Sequence, residues 1–155
     1  MPTLTLRDVT AADLPVLFEH QADADAARLA AFRPRDLAAF LAHWTTILGD
    51  SSVYAKAVVV GEAVVGHIGV FGEPPHREVG YWIGREHWGR GLASGAVAAM
   101  LRLCPDRPLY AHVAKHNAAS IRVLEKCGFR LLGADPEFSS GDEDPVQGLV
   151  YCLAC

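Results

Sequence analysis

A glycine-rich turn between an apolar strand and an apolar helix constrains this chain more than any other part of it. Residues 78–99 are EVGYWIGREHWGRGLASGAVAA, which predicts a strand at Glu78–Ile83, a turn at Gly89 and Gly91, and a helix from Leu92. Because glycine has no Cβ, a ligand can approach the backbone of this turn closely. The first N–H groups of the helix lack partners within it and carry partial positive charge. The sequence therefore predicts an anion site, most naturally one for phosphate.

The charges next to the turn agree with an anion site. Arg85, His87 and Arg90 lie within or beside it and are opposed only by Glu86, although the whole chain has a net charge of −4. The chain has 155 residues, of which 51% are hydrophobic. That length and composition predict one folded domain over residues 1–155.

Composition and patterning exclude several classes of protein. No long basic run is present, so we expect no nucleic acid partner. The N-terminus MPTLTLRDVT does not resemble a signal peptide, and no apolar run could span a bilayer, so we expect a cytoplasmic protein with no membrane partner. In that compartment the cysteines should stay reduced, and their spacing completes no zinc site: Cys104, Cys127, Cys152 and Cys155.

The hydrophobic pattern elsewhere predicts a mixed α/β sheet protein. We expect strands at residues 4–9, 51–60, 62–71, 78–83, 109–113, 129–133 and 148–153. Helices are expected after Thr10, after Pro34, over Leu92–Leu103, and from Asn117 to Cys127. The alanine-rich segment 20–33 fits either a helix or a flexible segment over a cleft, and a polar loop occupies 136–145.

Taken alone, the turn must be compared with two nucleotide-binding motifs and with a plain connection. The sequence GRGLAS places Ser94 where the dinucleotide motif G-x-G-x-x-G needs its third glycine, and the next strand ends at His112 and Val113 with no acidic residue. No G-K-[ST] follows, so the turn is not a Walker A loop. A plain connection between strand and helix remains an alternative.

A second motif makes the pattern specific. After W-G-R-G-L-A, the residues from Asn117 to Phe129 follow N-x-x-S-x-x-x-L-E-K-x-G-F. The two motifs in this order resemble the GCN5-related N-acetyltransferases (GNAT), in particular the branch typified by the ribosomal-protein N-terminal acetyltransferases. The resemblance covers about residues 78–133. Trp88 departs from the Gln or Arg of the wider family but is familiar in that branch. Gly95 stands where the branch often has Glu, which affects either helix packing or a local contact.

The resemblance implies both a fold and an activity. The fold would be a mixed, mostly antiparallel sheet flanked by helices, with the parallel strands 78–83 and 109–113 splayed apart to form a cleft for acetyl-coenzyme A. The activity would be direct acetyl transfer from this cosubstrate to a primary amine, on a protein N-terminus or a small molecule. By the same resemblance, the cofactor-binding residues would be Ile83, Trp88, Gly89, Arg90, Gly91, Leu92, Ala93, Ser94, Asn117 and Ser120.

The first candidates for the chemistry are Ile83, Ser120 and Glu78. By resemblance, a backbone N–H near Ile83 or Gly84 would polarise the thioester carbonyl, and Ser120 would donate to the departing thiolate. Asn117 and Ser120 also suit the N-cap and N3 positions of a helix, so both could simply satisfy its first N–H groups. Glu78 is the first candidate for a general base acting through water, and the other candidates are His67, His76 and His112.

Several alternatives stay open. The chain could be a non-catalytic coenzyme A-binding or protein-interaction module of the same fold, or a nucleotide-binding oxidoreductase domain. Cys127 has no neighbouring histidine in sequence, which argues against a covalent thiol mechanism. Because His112 and His116 lie on a strand and its loop, we expect no metal. The amine acceptor and the oligomeric state, including a homodimer, are undetermined, and three aromatic residues belong either to the core or to an acceptor pocket: Trp44, Tyr81 and Trp82.

Overall fold

The computed structural model describes residues 3–136, 138 and 147–155, which include seven strands in one sheet. The strands are β1 (Leu4–Asp8), β2 (Tyr54–Val60), β3 (Ala63–Phe71), β4 (Glu78–Ile83), β5 (Leu109–Ala114), β6 (Arg130–Asp135) and β7 (Gly148–Leu153). Their order is β1-β2-β3-β4-β5-β7-β6, and every neighbouring pair is antiparallel except β4 with β5. The predicted mixed, mostly antiparallel sheet with one parallel pair is therefore confirmed.

Five α-helices flank the sheet: α1 (Leu14–Ala22), α2 (Ala24–Ala30), α3 (Leu37–Leu48), α4 (Leu92–Leu103) and α5 (Ala118–Lys126). Short 3₁₀ turns occupy Ala11–Asp13 and Arg85–His87. The ambiguous segment 20–33 contains α2, so the helical alternative is the correct one. The Asp23 carboxylate accepts from the Ala26 N–H at 2.9 Å and thereby caps that helix.

Two predicted boundaries differ from the structure for local reasons. The strand expected from residue 51 begins at Tyr54, because the Asp50 carboxylate accepts from the Ser52 N–H at 2.9 Å and holds a turn there. The helix expected after Pro34 begins at Leu37, where Asp36 is the N-cap. The predicted polar loop 136–145 lies largely outside the described residues.

The sheet carries a hydrophobic core on each face. On one face, α4 contributes Val97 and Met100 to a cluster with Ile68 and Val79. On the other face, helices α1 and α3 pack against β2 through Leu17, Phe40 and Trp44. Leu103 of α4 is 47% exposed, so only one side of this helix faces the sheet.

Gly95 allows α4 to pack closely on β1. A Cβ at this position would lie 3.3 Å from Leu4 Cδ1, closer than most real Cβ contacts. Of the two consequences considered for the missing Glu, helix packing is therefore the one that the structure supports.

The cysteine prediction is wrong for one pair. Cys152 and Cys155 form a disulfide, with their Cα atoms 6.1 Å apart, because Ala154 at φ 62° turns the chain back on itself. Cys104 and Cys127 are free. None of the helices in the described part of the chain has the length and apolar character needed to cross a bilayer.

Candidate active site

The parallel strands β4 and β5 are paired at one position only, Glu78 with Tyr110. There the Tyr110 N–H donates to the Arg77 carbonyl at 2.9 Å. Beyond this vertex the strands diverge, which confirms the predicted splay. A cavity of about 260 Å³ occupies the gap and reaches helix α2 on one side and helix α5 on the other.

Most of the predicted cofactor-binding residues meet at this cavity. Nine of the ten line it: Ile83, Trp88, Gly89, Gly91, Leu92, Ala93, Ser94, Asn117 and Ser120. Arg90 is exposed beside the turn and is not part of the lining, and neither is Glu78. The opposite wall comes from α2, through Ala26, Leu29 and Ala30.

The glycine turn has a backbone conformation that residues with a side chain rarely adopt. Gly89 and Gly91 have φ angles of 77° and 72°, and a Cβ on either would meet no other atom within 4 Å. Gly91 is the N-cap of α4 and has no side chain to bond the first N–H groups. The first helical bond joins the Gly95 N–H to the Gly91 carbonyl at 3.1 Å, so the preceding amides are left to an outside acceptor. Amides that are free in this way at the start of a helix form a cradle that can bind a phosphate group.

The basic residues around the turn are not equally available to an anion. Arg85 is paired with Asp23 at 2.9 Å and with Asp25 at 3.3 Å. Arg90 Nη1 lies 3.3 Å from His87 Nδ1 at the protein surface. Arg90 is thus the cation that can turn toward a ligand in the cradle without breaking an ion pair among the described residues.

Ser120 is hydrogen-bonded to Tyr81 across the gap. The two hydroxyl oxygens are 2.6 Å apart, and both residues line the cavity. Burial raises the pKa of Tyr81 to about 12, so its phenol stays protonated near neutral pH and can act as a donor. Asn117 Oδ1 accepts from the Ser120 N–H at 3.3 Å, which confirms Asn117 as a helix cap while it also faces the cavity.

Of the two backbone donors proposed for the thioester carbonyl, Gly84 is excluded. Its N–H donates to the Val65 carbonyl at 2.8 Å, on the β3 side of β4. Because successive N–H groups of a strand point in opposite directions, the Ile83 N–H points toward β5 and the gap. The Ile83 carbonyl also lies on that side, where it accepts from Trp88 Nε1 at 2.9 Å.

Two of the candidate bases form one hydrogen-bonded chain. His112 Nε2 lies 2.7 Å from Glu78 Oε1, and His112 Nδ1 lies 2.6 Å from Asp135 Oδ2. Val79 and Ile83 of β4 face the core around α4, so Glu78 projects from the opposite face of the sheet. These hydrogen-bonded side chains lie where β4 and β5 are paired, whereas Tyr81 and Ser120 lie within the gap.

The other candidates have weaker support. Burial lowers the pKa of His67 to about 4, so its ring is a poor proton acceptor near neutral pH, and it packs against Trp44 in the core. His76 is exposed and stacks near Tyr110. Burial raises the pKa of the Cys127 thiol, which opposes a thiolate nucleophile. Trp82 does line the cavity, and its Nε1 donates to the His20 carbonyl at 3.2 Å.

Sequence reasoning missed two partners in this site. Tyr81 lies two residues from both Val79 and Ile83 and so shares their face of the strand, which made it resemble a core residue. Asp135 is far from His112 in sequence. The period of β4 does place Tyr81 on the side of α4. No sequence signal links either residue to its partner.

The comparisons with known proteins agree with this geometry. Residues 3–130 match the model of the acetyltransferase (GNAT) domain family. The chain belongs to the GNAT acetyltransferase family. It is 28% identical over 144 residues to the uncharacterized N-acetyltransferase p20 of Bacillus licheniformis, which covers 84% of this chain and 80% of that protein.

Solved structures of GNAT acetyltransferases have the same fold. Spermidine N-acetyltransferase from Vibrio cholerae, in complex with CoA and spermine, has a TM-score of 0.82 at 19% identity and covers 97% of this chain and 94% of its own. Mycobacterium smegmatis RimJ, in complex with CoA-disulfide, has a TM-score of 0.80 at 19% identity and covers 97% and 81%. At these identities the likeness concerns the fold alone. Since both match about equally well, the ribosomal-protein branch stays a prediction.

The backbone of the glycine turn can be tested by substitution. We expect Gly91→Ala to weaken coenzyme A binding roughly tenfold, because alanine at this φ angle is strained by roughly 1–2 kcal/mol and the amides should lose their alignment. Isothermal titration calorimetry with coenzyme A would measure the change. The control is Gly61→Ala, which places the same strain at φ 62° in the β2–β3 turn. Equal affinities for the two variants would contradict an amide cradle.

Proposed function

We propose that this GNAT protein is an acetyl-CoA-dependent N-acetyltransferase that transfers the acetyl group directly to a primary amine. One observation carries the proposal: a gap between splayed strands joins an uncapped glycine turn to a Tyr81–Ser120 hydroxyl pair 2.6 Å apart. The gap supplies both an anion cradle and a proton donor, which a thioester substrate needs at its two ends.

The binding role would fall mainly to the backbone. Amides of residues 89–94 would hold the diphosphate, with Arg90 adding a positive charge from the surface. Asn117 would contact the pantetheine arm, since its side chain lines the cavity beside α5. Acetyl-coenzyme A, when bound, supplies the activated acetyl group. Because its position relative to the amine is fixed in the gap, proximity would account for much of the rate.

The transfer step requires one proton to leave and one to arrive. The amine nitrogen bonds to the acetyl carbon, the carbon–sulfur bond breaks, the amine loses a proton, and the thiolate gains one. The Ile83 N–H would donate to the acetyl oxygen as negative charge develops there. Ser120 would give its proton to the sulfur and take one from Tyr81, and the Tyr81 phenolate would then regain a proton from solvent water.

The amine proton would leave toward the other face of the sheet. Glu78 is our proposed base, and His112 and Asp135 would share the charge that the proton brings. Because Glu78 does not line the cavity, a water molecule would carry the proton from the amine to the carboxylate.

The finer assignments stay proposals from the sequence. They are the ribosomal-protein N-terminal acetyltransferase branch, a cytoplasmic location and a possible homodimer. Amine acetylation in general is supported by the p20 relative and by the RimJ and spermidine acetyltransferase structures. These comparisons do not distinguish a protein N-terminus from a small amine as the acceptor.

Activity can be tested with acetyl-coenzyme A and a panel of amines that includes peptides, polyamines, aminoglycosides and amino-acid derivatives. We expect release of free thiol with at least one acceptor, accompanied by a mass increase of one acetyl group on its amine. Double-reciprocal plots should intersect, because direct transfer needs both substrates bound together. Coenzyme A binding with no thiol release across the panel would favour the non-catalytic module, and parallel lines would favour a covalent thiol mechanism.

The proton donor can be tested with Ser120→Ala and Tyr81→Phe. We expect each to lower kcat roughly 100-fold while KM for acetyl-coenzyme A changes little, because the lost group acts on the leaving thiolate. The double variant should be little worse than either single one, since the two hydroxyls act in series. The control is Ser51→Ala, at an exposed serine outside the cavity. Unchanged turnover in Ser120→Ala would remove Ser120 from the mechanism.

The base can be tested with Glu78→Gln, which keeps the shape but removes the carboxylate. We expect kcat to fall roughly 100-fold at neutral pH and to recover partly at high pH, where more of the amine is already unprotonated. The control is Glu73→Gln, on the exposed segment before β4. If Glu78→Gln shows the wild-type rate and pH profile, the proton leaves by another route.

A further inference from the structure

Three potential metal ligands converge beside the glycine turn. His20 on α1 meets Glu86 and His87 of the 3₁₀ turn, and one ligand atom from each lies within 4.8 Å of the others. His20 Nε2 is 3.7 Å from Glu86 Oε1, and His87 Nε2 is 3.5 Å from the same oxygen. A tetrahedral zinc ion with bonds of about 2.1 Å separates its ligands by about 3.4 Å. These separations are therefore close to those of a metal site.

His20 points to a ligand independently of the cluster. Its side chain is only 2% exposed, and neither ring nitrogen has a hydrogen-bond partner within the described part of the chain. Buried polar atoms are nearly always paired, so an unpaired buried imidazole is unusual in a folded protein.

Gly84 allows the His20 ring to pack against the backbone beside the 3₁₀ turn. A Cβ at position 84 would lie 2.6 Å from both Nε2 and Cδ2 of His20, a distance that real contacts do not show. Only glycine at position 84 therefore allows the His20 ring to pack in this position, where Nε2 lies 3.7 Å from Glu86 Oε1. The Trp82 indole, which donates to the His20 carbonyl at 3.2 Å, ties this part of α1 to β4.

We propose that His20 Nε2, Glu86 Oε1 and His87 Nε2 together bind one divalent transition-metal ion of the zinc class. Imidazole nitrogens suit zinc, nickel and copper, and two histidines with one glutamate form a known ligand set of catalytic zinc. Three protein ligands leave a fourth position for water. The ion would join α1 to the turn that leads into the diphosphate cradle, since His87 lines the same cavity as Gly89.

The surrounding charges set the conditions for binding. Arg85 is neutralised by Asp23 and Asp25 and does not oppose a cation. Arg90 Nη1 lies 3.3 Å from His87 Nδ1. Because the guanidinium can only donate, Nδ1 accepts from it, and the hydrogen of the neutral His87 ring is then on Nε2. The metal needs that hydrogen on Nδ1, so Arg90 has to release His87. In Arg90→Gln the amide oxygen can accept from Nδ1–H instead, as outer partners of metal-bound histidines commonly do.

The proposal can be tested on the untagged full-length protein with zinc chloride by calorimetry, and with cobalt chloride by visible absorption. We expect one ion per chain and a cobalt spectrum of tetrahedral intensity. Glu86→Gln and His87→Ala should each weaken zinc binding at least roughly tenfold, and Arg90→Gln should strengthen it. Zinc should also raise the melting temperature of the wild type, and this increase should be absent in Glu86→Gln.

The controls separate this site from the other histidines. His116→Ala removes an exposed ring whose Nε2 lies 3.1 Å from the Arg28 carbonyl oxygen. This variant should bind zinc as the wild type does. His20→Ala adds to the test if it folds. If it does not, Glu86→Gln decides first, because the Glu86 side chain is 64% exposed, and His87→Ala supports it. Three results would overturn the proposal. The wild type could show no saturable zinc binding, Glu86→Gln and His87→Ala could both bind zinc with the wild-type affinity, or binding could instead be lost in His112→Asn.

Discussion

The divergence of β4 from β5 is the feature on which the rest of this structure depends. Each strand is fully paired along its other edge, β4 with six residues of β3 and β5 with six residues of β7. The sheet can therefore remain stable although the two strands share only the pair Glu78–Tyr110. Backbone groups that would normally complete a parallel ladder face the gap, where an extended ligand can replace the missing strand. Ile83 contributes to that edge, and the glycine turn lies directly beyond it.

Strand alternation separates the two groups that we propose to transfer protons. Tyr81 projects toward α5 and meets Ser120 there, whereas Glu78 projects to the opposite face and meets His112. The reaction needs a base that takes a proton from the amine and an acid that gives a proton to the leaving thiolate. Because the proposed base and acid lie on opposite faces of the sheet, the acid does not simply pass its proton to the base. The sheet provides this separation because neighbouring side chains of a strand lie on opposite faces.

Much of the local structure could be predicted because its causes are local. The bounds of β4 and α4 follow from an apolar alternation, two glycines at positive φ and a helical period, all within residues 78–103. Asn117 was predictable as a cap because its partner is three residues away. Segment 20–33 was ambiguous because alanine favours helix while offering little hydrophobic pattern, and the cap at Asp23 decided it. The disulfide was missed because a reduced state had been expected from the inferred compartment.

The sequence by itself determined the sheet class, the glycine turn and the family, because these rest on short-range periodicity and on two motifs that lie close together. Only the tertiary structure decided that the Gly84 N–H is bonded to the Val65 carbonyl, which leaves the Ile83 N–H as our proposed donor. It also decided that Tyr81 belongs with Ser120 and that His112 joins Glu78 to Asp135. Such pairings join distant parts of the chain. Their distances arise from strand order, splay and helix packing, and no local pattern contains that information.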